Sequence, residues 1–132
     1  MRLVVDSSAL VAIALREPDR GPLIQALEAA DEILISPTNY VETGVVLTTH
    51  KLFTSRDEID AWLSDYRVQV AREPAIEAVA LDAYLRFGKG RHPARLNLAD
   101  CFAYALATTL DAPLLYKGDD FPLTDVRSAL DA

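Results

Sequence analysis

Leu3-Val4-Val5-Asp6-Ser7-Ser8-Ala9-Leu10 sets a short apolar run, one acid and two hydroxyls ahead of a second apolar segment. A run this short, with no polar alternation, reads as a strand buried on both faces. Ser7 and Ser8 can cap the helix that follows, which carries Leu10, Ile13 and Ala14 and ends before Pro18. A strand passing at once into a helix opens a βα unit, and Asp6 falls at its turn.

The same grammar recurs along the chain. Pro22 suits the first turn of a second helix with Leu23, Leu27 and Ala30 on one face. Ile33-Leu34-Ile35 reads as a strand, and Ser36-Pro37 as the cap and first turn of a helix reaching about Lys51. Ser55-Arg56-Asp57-Glu58 has a capping-box pattern before the apolar stripe Ile59, Trp62, Leu63 and Tyr66. Val68-Gln69-Val70 alternates as a third strand. Pro74 is expected to open a helix through Phe87, with Ile76, Val79 and Ala83 on its inner face and Gly88 and Gly90 ending it. Asn97 caps a helix to about Leu110, Leu114-Leu115-Tyr116 forms the fourth strand, and Thr124 can cap a short last helix. Short covered strands alternating with helices predict a three-layer α/β/α domain over residues 1–132, with a mainly parallel sheet of four or five strands.

The 132 residues fit one domain with a substantial core, and 51% hydrophobic with 25% charged residues excludes wholesale disorder. A net charge of −7 argues against gripping nucleic acid by overall charge, unless bound cations reverse the local field. The single cysteine, Cys101, excludes an internal disulfide framework, and its apolar helical setting reads as core. No apolar stretch approaches the roughly 20 residues of a membrane span. Met1-Arg2-Leu3 runs straight into a strand without a leader pattern, so the expected compartment is the cytoplasm.

Acids stand at the functional end of this plan. Asp6 follows the first strand, Glu42 lies early in the third helix, Asp100 opens the late helix, and Asp119 and Asp120 follow the fourth strand. Asp6 and Asp100 each have a simpler explanation as helix caps, and Asp119 and Asp120 as turn residues. Glu42, among Val41, Val45 and Val46, resists that explanation. Ligand sites of parallel sheets lie along the carboxyl ends of the strands. Carboxylates gathered there repel one another unless a cation lies between them, and hard oxygen ligands suit Mg²⁺ or Mn²⁺. Ser8 could orient the Asp6 carboxylate or a metal-held water.

The motifs resemble those of a known family. Val4-Val5-Asp6-Ser7-Ser8-Ala9-Leu10 is similar to the opening motif of PIN-domain ribonucleases, and Asn39-Tyr40-Val41-Glu42-Thr43 to their second. Leu98-Ala99-Asp100-Cys101-Phe102-Ala103-Tyr104-Ala105-Leu106-Ala107 resembles the third. Leu114-Leu115-Tyr116-Lys117-Gly118-Asp119-Asp120-Phe121, with Thr124-Asp125-Val126, resembles the C-terminal segment of VapC-type toxins. Ala99 departs from the glycine common there, a change tolerated if that position does not need a positive φ.

The resemblance implies a Mg²⁺- or Mn²⁺-dependent endoribonuclease, the toxin of a toxin–antitoxin pair. It places the metal-site acids on Asp6, Glu42, Asp100 and either Asp119 or Asp120, with the family pattern favouring Asp120 directly before Phe121. It also implies a cognate antitoxin and a homodimer, for which Val45, Leu52 and Phe53 are candidate contacts. Lys89, Arg91, His92 and Arg95 form a basic loop that can hold RNA phosphates or simply be solvated, and Lys117 is a further candidate. Three other readings compete. A phospho-accepting receiver domain lacks an aspartate at the end of a central strand, since Val68-Gln69-Val70 leads into Ala71-Arg72. A haloacid-dehalogenase-type phosphatase lacks its second aspartate, replaced by Ser8. An inactive PIN-like binding module is disfavoured by the presence of every acid.

Overall fold

The computed structural model describes residues 1–130. Its sheet has four parallel strands in the order β3-β2-β1-β4: β1 (Arg2–Val5), β2 (Glu32–Ile35), β3 (Val68–Val70) and β4 (Leu114–Leu115). Six helices occur among the described residues: α1 (Ser7–Ala14), α2 (Arg20–Ala29), α3 (Pro37–Thr49), α4 (Arg56–Asp65), α5 (Glu77–Phe87) and α6 (Leu98–Thr109).

Strand periodicity divides the core in two. Leu3, Val5, Ile33, Ile35, Val68 and Leu115 pack with Leu10, Leu23, Leu27 and Ile59 of α1, α2 and α4. Val4 and Leu114 face the other way, onto Ala83 and Phe87 of α5 and Ala103 and Leu106 of α6. Both faces of β1 are therefore buried, which is why its sequence is continuously apolar rather than alternating. The result is the expected three-layer α/β/α arrangement.

The chain steps outward from β1 to β2 and β3, then returns to the other side of β1 as β4. The order reverses between β1 and β4, where parallel sheets open a crevice beyond their carboxyl ends. Helix α3 packs against both α1 and α6 beside that opening. A receiver-like order would pair β1 with β3, whereas here β3 pairs only with β2 and ends in Val70.

One local choice is settled and two expectations change. Of the caps open to the first helix, Asp6 holds it, its side chain accepting from the Ser8 amide, and Ser7 and Ser8 do not. Helix α5 begins at Glu77 instead of Pro74, because Ile76 is its N-cap and turns its side chain into the α5–α6 core. Thr124 closes a 3₁₀ turn, Phe121–Leu123, instead of starting a helix. The chain beyond it is drawn to the open edge of β4: the Leu114 amide donates to Arg127 O at 2.8 Å and the Ala129 amide to Leu114 O at 2.9 Å. Those strand-like bonds satisfy backbone groups that a helix would have used. Phe53 is half-buried against Trp62, leaving Val45 and Leu52 as the exposed members of the apolar set named above.

Gly88 ends α5 for steric reasons, since a Cβ there would lie 2.4 Å from Tyr84 O and 2.5 Å from Tyr84 Cδ1. Gly88→Ala should therefore lower stability in urea unfolding by about 1–3 kcal/mol. Gly21→Ala, with open space around it in α2, should be neutral or slightly stabilising.

Candidate metal centre

Among the described residues, the buried polar and charged side chains are Asp6, Ser7, Ser36, Asn39 and Thr43. Asp6 and Ser7 follow β1, Ser36 caps α3, and Asn39 and Thr43 lie on α3, so the buried polarity gathers where α3 meets the end of β1. Asp6 is only 2% exposed. Its Oδ2 accepts from the Ser8 amide at 3.0 Å, and its Oδ1 faces Asn39 Nδ2 at 3.4 Å. Ser8 Oγ accepts from the Lys117 amide at 3.0 Å, which ties the turn after β4 to the turn after β1.

Asp6, Glu42 and Asp100 line one open cleft of about 340 Å³, together with Ser8, Glu17, Asn97 and Lys117. Asp100 is held by a reciprocal cap: the Asn97 amide donates to Asp100 Oδ2 at 3.0 Å, and the Asp100 amide to Asn97 Oδ1 at 2.8 Å. Capping and cleft-lining are thus compatible roles for Asp6 and Asp100. Ala99 sits in the first turn of α6 and is absent from the positive-φ residues, so replacing glycine there costs no backbone strain.

Electrostatics mark the acids as mutually repelling. Burial pushes the Asp6 carboxyl up to about 7, and the charges of Asp100 and Glu42 add to the rise, against opposing hydrogen bonds from Ser8. Burial likewise raises Asp100 to about 6, helped by the charges of Glu42 and Asp120. Neither Asp119 nor Asp120 lines the cleft; Asp120, half-buried, acts on Asp100 through its charge, while Asp119 is exposed.

Among the described residues no three carboxylate, imidazole or thiol groups stand close enough together in this arrangement to hold a metal ion between them. The acids line an open cleft instead. An all-oxygen donor set with a buried, repelled carboxylate fits a hard divalent ion that keeps several of its own waters.

The basic positions divide differently. Lys117 lines the cleft, with Nζ 2.8 Å from Glu17 Oε2 and 3.2 Å from Asp19 Oδ1. Lys89, Arg91, His92 and Arg95 do not line it. His92 is half-buried, its Nδ1 accepting from the Ala94 amide at 3.0 Å and its ring edge-on to Phe87 at 5.1 Å. Arg91 donates from Nε to Leu85 O at 3.2 Å. Sequence reasoning passed over Asn39, Asn97 and Glu17 as parts of the site. The spacing Ser36, Asn39, Glu42 was the available signal for Asn39, since residues three apart share a helix face.

The PIN domain matches residues 3–126. Ribonuclease VapC of Mycolicibacterium smegmatis is 44% identical over 128 residues, covering 96% of this chain and 98% of that protein. Ribonuclease VapC42 of Mycobacterium tuberculosis is 42% identical over 129 residues, covering 96% and 98%. Ribonuclease VapC30 of the same species is 42% identical over 127 residues, covering 96% and 97%. The chain belongs to the PIN-domain family and, within it, to the VapC ribonucleases.

The raised carboxyls make a signed prediction for metal-free protein. An unfolded aspartate titrates near 4, whereas native Asp6 titrates at about 7. The native state therefore binds the extra proton between those values. The stabilising contribution is full below about pH 4 and is lost as pH rises through about 7. Melting temperature in EDTA should fall from pH 5 to pH 8, and Asp6→Asn should flatten the fall. A wild-type profile that rises across this window would contradict the assignment.

Proposed function

We propose that this chain is a Mg²⁺- or Mn²⁺-dependent endoribonuclease that acts as the toxin of a toxin–antitoxin pair and hydrolyses RNA phosphodiester bonds. The observation that carries the reading is that acids from three separate motifs, Asp6, Glu42 and Asp100, line one cleft at the switch point of a PIN-family sheet. The ribonuclease names of relatives aligned over nearly the whole chain support the substrate class.

Asp6, Glu42 and Asp100 would hold the ion, with Asp120 as the fourth acid in preference to Asp119. When bound, such an ion polarises the phosphodiester and lowers the pKa of a water. Asp6 contributes a carboxylate whose orientation is set by the Ser8 amide and the Asn39 carboxamide. The Asn97 cap does the same for Asp100. Lys117, beside these acids, is the basic side chain nearest to where a phosphate would dock, and Ser8 fixes its backbone. Lys89, Arg91, His92 and Arg95 follow α5 and precede the Asn97 cap; we assign them to RNA approaching from outside the cleft. The partners in this reading are RNA, a cognate antitoxin and a second copy of the chain. Val45 and Leu52, 57% and 42% exposed, are candidate dimer contacts. No helix among the described residues is long and apolar enough to cross a membrane. We assign action to the cytoplasm as a single domain, where a toxin meets cellular RNA.

Asp6→Asn and Asp100→Asn should each lower RNA cleavage by more than about a hundredfold while leaving the circular dichroism spectrum unchanged. Asp120→Asn should impair cleavage, whereas Asp119→Asn should stay within about twofold of the wild type. Cleavage that survives excess EDTA, or full activity in Asp100→Asn, would overturn the proposal.

A further inference from the structure

Asn39 is the hub of the buried polar network. Its carboxamide and backbone carbonyl meet each of the other buried polar residues: Asp6, Ser7, Ser36 and Thr43. It also reaches α6, with Nδ2 at 3.0 Å from Ala99 O. One fully buried side chain thus touches the first motif directly, the third motif at the residue before Asp100, and shares a helix face with Glu42 one turn later.

The hydrogen bonds fix which way the carboxamide points. Ser36 Oγ accepts from the Asn39 amide at 3.0 Å, so its own hydrogen is directed to Asn39 Oδ1. Nδ2 is then left for Ala99 O, Ser7 Oγ and the Asp6 carboxylate. A carbonyl oxygen can only accept, so the reverse orientation would set two acceptors against each other in a site without water-facing surface. With two N–H groups and three acceptors, Nδ2 divides its donation between the start of α1 and α6.

We infer that Asn39 is a positioning residue for the metal site: it sets the separation and orientation of the Asp6 and Asp100 carboxylates through one rigid carboxamide. The inference rests on the metal-dependent reading above. No three of the ligating side chains are already gathered to hold an ion among the described residues, so affinity depends on how the acids are positioned rather than on their number alone. A hydrogen-bonded outer partner of a metal ligand is typically worth about 10- to 100-fold in metal affinity. Thr43 supplies an internal comparison. It is equally buried on the same helix and bonds Asn39 O at 2.7 Å, but makes no hydrogen bond to Asp6 or Ala99.

Mn²⁺ binding to the full chain should be titrated calorimetrically for the wild type, Asn39→Ala and Thr43→Val, with folding checked by circular dichroism. Asn39→Ala should weaken Mn²⁺ binding by roughly tenfold or more, and the Mn²⁺ concentration for half-maximal cleavage should move with it. Thr43→Val should lose stability while leaving the Mn²⁺ affinity in place. If Asn39→Ala does not fold, Asn39→Ser carries the same test, since it keeps a hydroxyl in the cavity without the reach of the carboxamide. Equal Mn²⁺ affinity in a folded Asn39 variant and the wild type, or an equal loss in Thr43→Val, overturns the positioning role alone. A wild type that binds no Mn²⁺ overturns the metal reading and this inference together.

Discussion

A carboxylate withdrawn from water at the end of β1 is the constraint around which the rest of this structure is arranged. Asp6 sits where two apolar faces meet, with Val5 buried before it and Ser7 buried after it. Leaving a charge there is expensive unless hydrogen bonds or a cation compensate it. The fold supplies part of the compensation through the Ser8 amide and Asn39, and then adds further acids nearby, which worsens the repulsion. Stability alone would not select such a cluster. On the proposed reading it is a site completed from outside by positive charge.

The fold provides that cluster with little machinery. Very short strands suffice because β1 is paired on both sides, by β2 and β4, so its carboxyl end is fixed in position and direction. The order reversal between β1 and β4 then opens the crevice without any inserted loop. Helix α3 enters at the same rim with its proline-led first turn capped by Ser36, and one turn later delivers Asn39 and then Glu42. The bond between the Lys117 amide and Ser8 closes the other side. Asp6 is thus held at a strand end, Asp100 in the capped first turn of α6 and Glu42 in the second turn of α3.

These relations were unequally legible in the sequence. Leu3-Val4-Val5 and Ile33-Leu34-Ile35 announce buried parallel strands because both faces are covered, and Asp6, Glu42 and Asp100, which share the cleft, stand at a strand end and early in helices. The helix caps at Ser36, Ser55 and Asn97 were readable because a local side-chain bond determines them. What escaped was decided by partners distant in the chain. Thr124 has the chemistry of a helix cap, but the free edge of β4 captures the residues after it. His92 and Arg91 look like free cations in the sequence, yet Phe87, Ala94 and Leu85 engage them. Asn39 reads as an ordinary polar helix residue, and only the approach of the start of α1 and of α6 turns it into a hub.

The charge balance of the cleft bears on how an acidic protein can act on a polyanion. The chain carries a net charge of −7, and the one basic side chain lining the cleft among the described residues, Lys117, is already paired with Glu17 and Asp19. Its ammonium therefore offers an incoming phosphate little uncompensated charge. The acids around Asp6 repel phosphate outright until a cation reverses the local field. On the proposed reading, metal and RNA binding are coupled through that sign change, since the same ion that relieves Asp6 and Asp100 creates the attraction for the substrate. Affinity for RNA then depends on divalent ion concentration even before any bond is cleaved, and a metal-free molecule is electrostatically closed to its substrate.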